Sequence, residues 1–122
     1  MARNPFLERV EKDARKSQGY LRSPKQERQL AKRTKGTTTS NSGAGKTKGD
    51  VRVKGIARIE AKCTQNKSFS VTRDMIEKIT NAATFNDEIP AIVIEFLDRD
   101  GKPDSEVAVI PVTDLLRLID HA

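Results

Sequence analysis

The chain has no tryptophan and only one tyrosine, one cysteine and one histidine, and each shortage removes a class of chemistry. A single thiol, Cys63, can form neither an internal disulfide nor a cysteine-based zinc cluster. With His121 as the sole imidazole, next to last in the chain, Cys–His and Ser–His catalysis have no partners to draw on. The scarcity of aromatic rings leaves little to stack against unpaired bases, the usual grip on single strands. No apolar run approaches the ~20 residues that span a bilayer. The opening Met1-Ala2-Arg3-Asn4-Pro5 leads into charged sequence and not into an apolar segment, so no secretory signal and no membrane partner are expected. The expected setting is a reducing cytoplasm, that of the host if the chain is phage-encoded.

What the chain has in plenty is charge, unevenly placed. Residues 1–54 hold 15 Lys/Arg against 5 Asp/Glu, a balance of +10, and residues 55–122 hold 8 against 12, a balance of −4. A basic half joined to an acidic half suggests a surface built for a polyanion. The basic residues do not flank a strongly apolar helix face, so nucleic acid fits better than a membrane surface. A partner gripped by its phosphates is duplex or branched DNA.

The 122 residues suit one domain with a real core. A first helix is predicted from Asn4 and Pro5, with Phe6, Leu7, Val10 and Ala14 at helical spacing, ending before Gly19. Ser23-Pro24-Lys25-Gln26 reads as a capping box opening a second helix that runs to about Lys35, with Gly36 at C′. Leu30 and Ala31 follow Glu27 by three and four residues, which places this carboxylate on the inward face of its helix. Residues 37–48 show no apolar periodicity and read as a basic, hydroxyl-rich loop.

Strands are expected at about 50–54 and at 57–64, joined by a turn at Gly55. In the second, Ala57, Ile59, Ala61 and Cys63 fall on one face and Arg58, Glu60, Lys62 and Thr64 on the other. Val71 to Phe85 reads as an amphipathic helix with Met75, Ile76, Ile79, Ala82 and Ala83 inward. Ala91 to Leu97 reads as a central strand in which Glu95 is an edge-facing acid. A turn at 98–102 leads into a strand at Glu106–Ile110. Thr113 is expected to cap a final helix, Asp114–Ile119. The order α-α-β-β-α-β-β-α implies an α/β domain.

Two constellations bear on chemistry. Gly43-Ala44-Gly45-Lys46-Thr47 resembles the end of a phosphate-binding loop, but Ser40 stands where that motif needs glycine, and a strand follows instead of a helix. Its backbone amides with Lys46 and Lys48 remain candidates for touching DNA phosphate. The second constellation is Asp50 followed by Glu60-Ala61-Lys62. Residues two apart on a strand share a face, and if 50–54 pairs antiparallel with 57–64 through the Gly55 turn, Asp50 can lie opposite the end of that strand. Two carboxylates beside a lysine make a site for a hard cation such as Mg²⁺, with an ammonium over the substrate. Phosphodiester hydrolysis calls for those parts. Glu-x-Lys on a strand is by itself more often a solvated salt bridge. The spacing of Asp50, the apolar opposite face and the basic half weigh against that here. Lys67, Arg73 and Lys78 read equally as a continuation of the phosphate-binding surface and as a solvated helix face. Cys63 reads as a core thiol.

Gly49-Asp50 … Glu60-Ala61-Lys62 resembles the (P)D-x(n)-(D/E)-x-K signature of the PD-(D/E)XK nuclease superfamily. The wider pattern of Lys25-Gln26-Glu27-Arg28, Ser42-Gly43-Ala44-Gly45, Asp50 and Glu60-Ala61-Lys62-Cys63 is similar to archaeal and phage Holliday junction resolvases across residues 23–80. The resemblance implies a restriction-endonuclease-like core, a mixed sheet flanked by helices, over 23–122, with 1–22 as a helical extension. It implies that Asp50, Glu60 and the backbone carbonyl of Ala61 ligate Mg²⁺, with Mn²⁺ able to substitute. Lys62 would then position the attacking water, Glu27 would complete the acidic cluster, directly or through water, and Ser42 would lie near the scissile phosphate. Lys25, Arg28, Ser42, Lys46, Lys48, Arg52 and Lys67 would contact DNA, and a homodimer would cut a branch. Gly49 stands where many members have proline, and the first helix has no counterpart in the compact resolvase core. A nuclease of other preference (restriction-like, a nickase or a general phage nuclease) and a non-catalytic basic DNA-binding accessory protein remain alternatives.

Overall fold

A computed structural model describes residues 22–39 and 50–122. The expected first helix, nearly all of the 1–22 extension, and Ser42, Lys46 and Lys48 of the glycine-rich loop lie outside the described residues. The elements are a helix over 22–34 (α1), β1 (Thr37–Thr38), β2 (Asp50–Val53), β3 (Ala57–Thr64), α2 (Arg73–Thr84), β4 (Ile89–Leu97), β5 (Pro103–Val109) and α3 (Val112–Asp120).

The five strands form one sheet in the order β1-β2-β3-β4-β5. Neighbours are antiparallel except β3 and β4, which run parallel. A parallel neighbour requires a crossover, and α2 supplies it. The protein is thus α/β with a mixed sheet and flanking helices, as the element order implies. Among the described residues no helix is long and apolar enough to cross a membrane.

Strand alternation assigns the two faces. Leu30 of α1 packs with Val51, Ile59, Ala61, Ala91 and Val93 on one side. Ile79 of α2 packs with Ile92 and Ile94 on the other. Burying each large aliphatic side chain contributes about 1.5–3 kcal/mol, so these clusters fix which helix lies on which face. β4 is buried along nearly its whole length, as expected of a strand covered on both sides.

Several local expectations are corrected. Ser23 is not an N-cap, because Arg22 before it is already helical. Arg22 is also tied into the body by paired bonds from its guanidinium to Glu95, at 2.6 and 3.0 Å. Glu95 is therefore a buried, ion-paired residue on the α1 side and not an edge-facing acid.

At the other end of α1 it is Lys35, with φ 59°, that takes the left-handed position. Gly36 follows it, and its amide closes back on the Ala31 carbonyl at 2.9 Å, the six-to-one bond of a Schellman motif. Glycine is needed there for a different reason: a Cβ would stand 2.6 Å from the Arg52 carbonyl oxygen of β2. That close approach lets Thr37 pair with Arg52, so part of the expected loop is a short strand.

α2 begins at an N-cap, Thr72, whose hydroxyl accepts from the Met75 amide at 3.2 Å. Its inward stripe is narrower than the periodicity suggests: Ile79 and Ala83 are buried while Ile76 is exposed. α3 starts from Pro111 with no side-chain cap, so Thr113 lies inside it.

Candidate active site

β2 and β3 pair in the register Asp50↔Glu60, Val51↔Ile59, Arg52↔Arg58 and Val53↔Ala57 across the Gly55 turn. Gly55 adopts φ +76° there, which glycine reaches without strain. Alternation places Asp50, Arg52, Arg58, Glu60 and Lys62 on the α2 side of the sheet, where Glu60 and Lys62 stand beside Ile92 and Ile94 in the parallel register. The backbone of Asp50 is clamped by Thr39. The Thr39 amide donates to the Asp50 carbonyl at 2.8 Å, and the Asp50 amide donates to the Thr39 hydroxyl at 3.1 Å. Thr39 is thereby fixed beside Asp50 at the candidate site.

The side chains form two ion pairs. Lys62 Nζ lies 3.3 Å from Glu60 Oε1, and Arg58 Nε lies 3.6 Å from Asp50 Oδ2. The carboxylates are half-buried, with side-chain exposures of 23 % for Asp50 and 18 % for Glu60. Burial pushes the Asp50 carboxyl above its ordinary value; the Arg58 guanidinium opposes this and the Glu60 carboxylate adds to it. A carboxylate that is costly to ionise, next to a second one, is a place where a cation gains binding energy.

The structure brings together Asp50, Glu60 and Lys62, with Arg52 on the same face. Ala61 is the buried residue between Glu60 and Lys62, its side chain in the α1-side core. Lys67 is exposed in the bend after β3. Glu27 is placed elsewhere. It lies on α1, on the opposite side of the sheet, half-buried and close enough to Cys63 for its charge to act on the thiol. The inward polar residue of α1 is the preceding Gln26, which is fully buried. Its amide donates to the Lys62 carbonyl at 2.9 Å and its oxygen accepts from the Cys63 thiol at 2.8 Å. Lys25 and Arg28 are exposed on the outer side of α1.

Cys63 is a part-buried thiol whose pKa burial pushes up to about 11, which leaves it unreactive at neutral pH.

Among the described residues no group of three His, Cys, Asp or Glu side chains is placed to hold a metal ion. The donor set that fits is the pair Asp50 and Glu60. That is enough for Mg²⁺, which keeps several waters and commonly takes one or two carboxylates plus substrate phosphate.

The sequence reading left Arg58, Gln26 and Glu88 out of the site. Arg58 shares the alternation of Glu60 and Lys62 and was open to discovery on that signal. Gln26 adjoins Glu27 and was displaced by one residue in the helical phase. Glu88, just before β4, has no periodicity to mark it, yet it is buried and accepts from Arg52 Nε and from the Gly55 amide, each at 2.8 Å. Comparison with protein-family models, with curated proteins and with solved structures finds no match to this chain.

Proposed function

We propose that this protein is a Mg²⁺-dependent DNA endonuclease of the PD-(D/E)XK type, acting as a homodimer on branched DNA such as a four-way junction. The observation that carries the reading is the direct cross-strand pairing of Asp50 with Glu60, with Lys62 two residues along on the same face. Asp50 and Glu60 hold the cation, and Mg²⁺ when bound supplies charge that polarises the phosphate and lowers the pKa of water. The half-buried setting makes each charge count for more than it does in bulk water. Lys62, held at Glu60, would donate to the attacking water and offset charge developing on the phosphate. Gln26 fixes the β3 backbone at the Lys62 carbonyl, so the strand that presents both groups is anchored from the other face. The basic half of the chain supports phosphate contacts, and α3, whose apolar residues are all exposed, supports a second copy as partner.

The test is a cleavage assay of the purified chain on a labelled four-way junction, a matched linear duplex and a single strand, with and without Mg²⁺. Cleavage of the junction that requires Mg²⁺ supports the reading. Absence of Mg²⁺-dependent cleavage on all three substrates overturns it.

The ion pairs Arg58–Asp50 and Lys62–Glu60 favour a second reading, in which this face is a salt-bridged surface of a non-catalytic DNA-binding protein. Divalent-cation binding separates the two, because a salt-bridged surface takes up neither Mg²⁺ nor Mn²⁺ measurably.

A further inference from the structure

Arg58 faces Asp50 and its charge also acts on Glu88, and its Nε makes a hydrogen bond with neither carboxylate. Towards the candidate site it approaches Asp50 at 3.6 Å, beyond hydrogen-bond length. Its Nε is buried with no partner. On its other side, Arg58 pairs across strands with Arg52 and with Pro90, two residues from Glu88. The Glu88 side chain is fully buried. One of its oxygens, Oε2, accepts from both Arg52 and the Gly55 amide. The other, Oε1, is buried without a partner. Burial works to raise the Glu88 pKa. The Arg52 and Gly55 hydrogen bonds and the charges of Arg52 and Arg58 outweigh it and hold the carboxyl below its ordinary value.

An unpaired buried donor and an unpaired buried acceptor each cost about 1–3 kcal/mol. Two such orphans of opposite kind on neighbouring strands, one belonging to a cation whose charge is felt at the other, mark an unmade hydrogen bond. Closing it draws Arg58 away from Asp50.

We propose that Arg58 is a displaceable counter-cation of the candidate metal site. It neutralises Asp50 when no divalent ion is bound, and it retreats to Glu88 Oε1 when one arrives. The proposal rests on the reading of Asp50 and Glu60 as metal ligands, and it assigns the site a regulator. Glu88 is then a positioning residue that acts on the cation only through Arg58. The arrangement also limits how much negative charge the empty site presents to DNA phosphate.

The experiment follows the Arg58 Nε–Hε signal of the full chain by ¹⁵N NMR during MgCl₂ titration, with R58K serving to assign the signal. The expected result is a downfield move of Hε, saturating together with Mg²⁺ binding measured by calorimetry. E88Q should weaken Mg²⁺ binding by about threefold or more, within the range for residues in contact, and should do so only while Arg58 is present, having no effect in R58Q. A wild-type Arg58 signal that stays fixed as Mg²⁺ saturates overturns the proposal, and needs no variant at Glu88 to fold. An E88Q effect of equal size with and without Arg58 also overturns it, because bulk electrostatics then suffice. Each of those outcomes leaves the nuclease reading intact. A wild type that binds no divalent ion overturns that reading first, and this one with it.

Discussion

Asp50 and Glu60 face each other as cross-strand partners at the open end of the β2–β3 hairpin, two acids where sheet stability alone favours opposite charges. Like charges directly opposite destabilise an antiparallel pair. Arg58 offsets the repulsion diagonally at Asp50, at 3.6 Å, and Lys62 offsets it along β3 at Glu60, at 3.3 Å. Local rules of sheet stability are most often broken at functional or strained sites, and the proposed function rests on this pair for that reason.

Removing either acid should therefore remove activity and not affinity. Asp50→Asn and Glu60→Gln are expected to lower Mg²⁺-dependent cleavage by at least about 100-fold, as losing charge stabilisation at a reacting centre does. DNA binding should be unchanged or tighter, since each variant removes a negative charge near phosphate. Lys62→Ala should be as inactive while still binding Mg²⁺. Cleavage by Asp50→Asn at the wild-type rate would mean that the assignment is wrong.

The same residue should show a trade between stability and function. The folded-state pKa of Asp50 is raised, so the native state binds this proton more tightly than the unfolded chain does. The penalty for ionising it is present in full above the raised pKa and disappears as pH falls below the ordinary carboxylate value. Asp50→Asn is accordingly expected to raise Tm by a few degrees at pH 7 without metal, and to lose that advantage near pH 3. Adding Mg²⁺ should reverse the order by stabilising the wild type through binding to the native state alone. Scanning calorimetry at the two pH values, with and without Mg²⁺, checks both signs. A variant less stable than wild type at pH 7 contradicts the expectation.

How much of this was open to reading in the chain depends on which force decides each residue. β3 was legible to the residue, because alternation of apolar and charged side chains over 57–64 has one solution once one face is buried. The antiparallel hairpin through the Gly55 turn was legible too, but the exact partner of Asp50, Glu60, comes from the strand register. Glu27 was misplaced because helical phase alone cannot distinguish neighbours on the edge of a stripe. Tertiary contact decided for Gln26, whose amide satisfies the Lys62 carbonyl and Cys63 together. Glu95 was misjudged because its partner, Arg22, lies 73 positions away, and nothing local announces a long-range ion pair. Gly36 was seen as a helix terminator, when its small size is demanded by the Arg52 carbonyl.

That ion pair gives a prediction about stability. Arg22→Ala leaves the Glu95 carboxylate, which is 4 % exposed, without its bidentate partner. Breaking a buried pair in this way costs about 3–5 kcal/mol. Replacing both residues, as Arg22→Met with Glu95→Leu, should recover most of the loss, since the desolvated charge goes too. Urea unfolding of the single and double variants tests this. Equal destabilisation by the two would show that the pair matters by packing rather than by charge.

DNA binding should fall steeply as salt rises, with a slope that reports the number of phosphates neutralised. Neutralising Lys46 and Lys48 together should reduce that slope by about one unit for each phosphate these lysines cease to neutralise. Arg52 requires separate treatment because Glu88 holds it, so its substitution also strands a buried carboxylate. The Lys46/Lys48 double variant is therefore measured before Arg52 is neutralised as well. An unchanged slope would move the DNA surface to the exposed Lys25, Arg28 and Lys32 of α1, on the other side of the sheet.

The remaining prediction concerns assembly. In α3, Val112, Leu115, Leu116 and Ile119 recur at i, i+3, i+4 and i+7 and so form one stripe. Their exposures are 68, 45, 53 and 59 %. The one part-buried residue of the helix is Asp114, on the opposite side, and the apolar stripe faces water. An isolated amphipathic stripe of this kind marks an interaction surface. Resolving a junction needs two cuts, which one Asp50–Glu60 pair per chain cannot supply, whereas twofold closure can. Leu116→Glu with Ile119→Glu should then convert a dimer to a monomer in light scattering at micromolar concentration. Substitutions at exposed positions of a free chain change stability by only about ±0.5 kcal/mol, so the monomer should still fold and bind Mg²⁺. It should also nick linear duplex while losing paired cuts in a junction. A wild type that is already monomeric, and that cuts linear duplex as readily as a junction, would leave the nuclease standing and remove the resolvase.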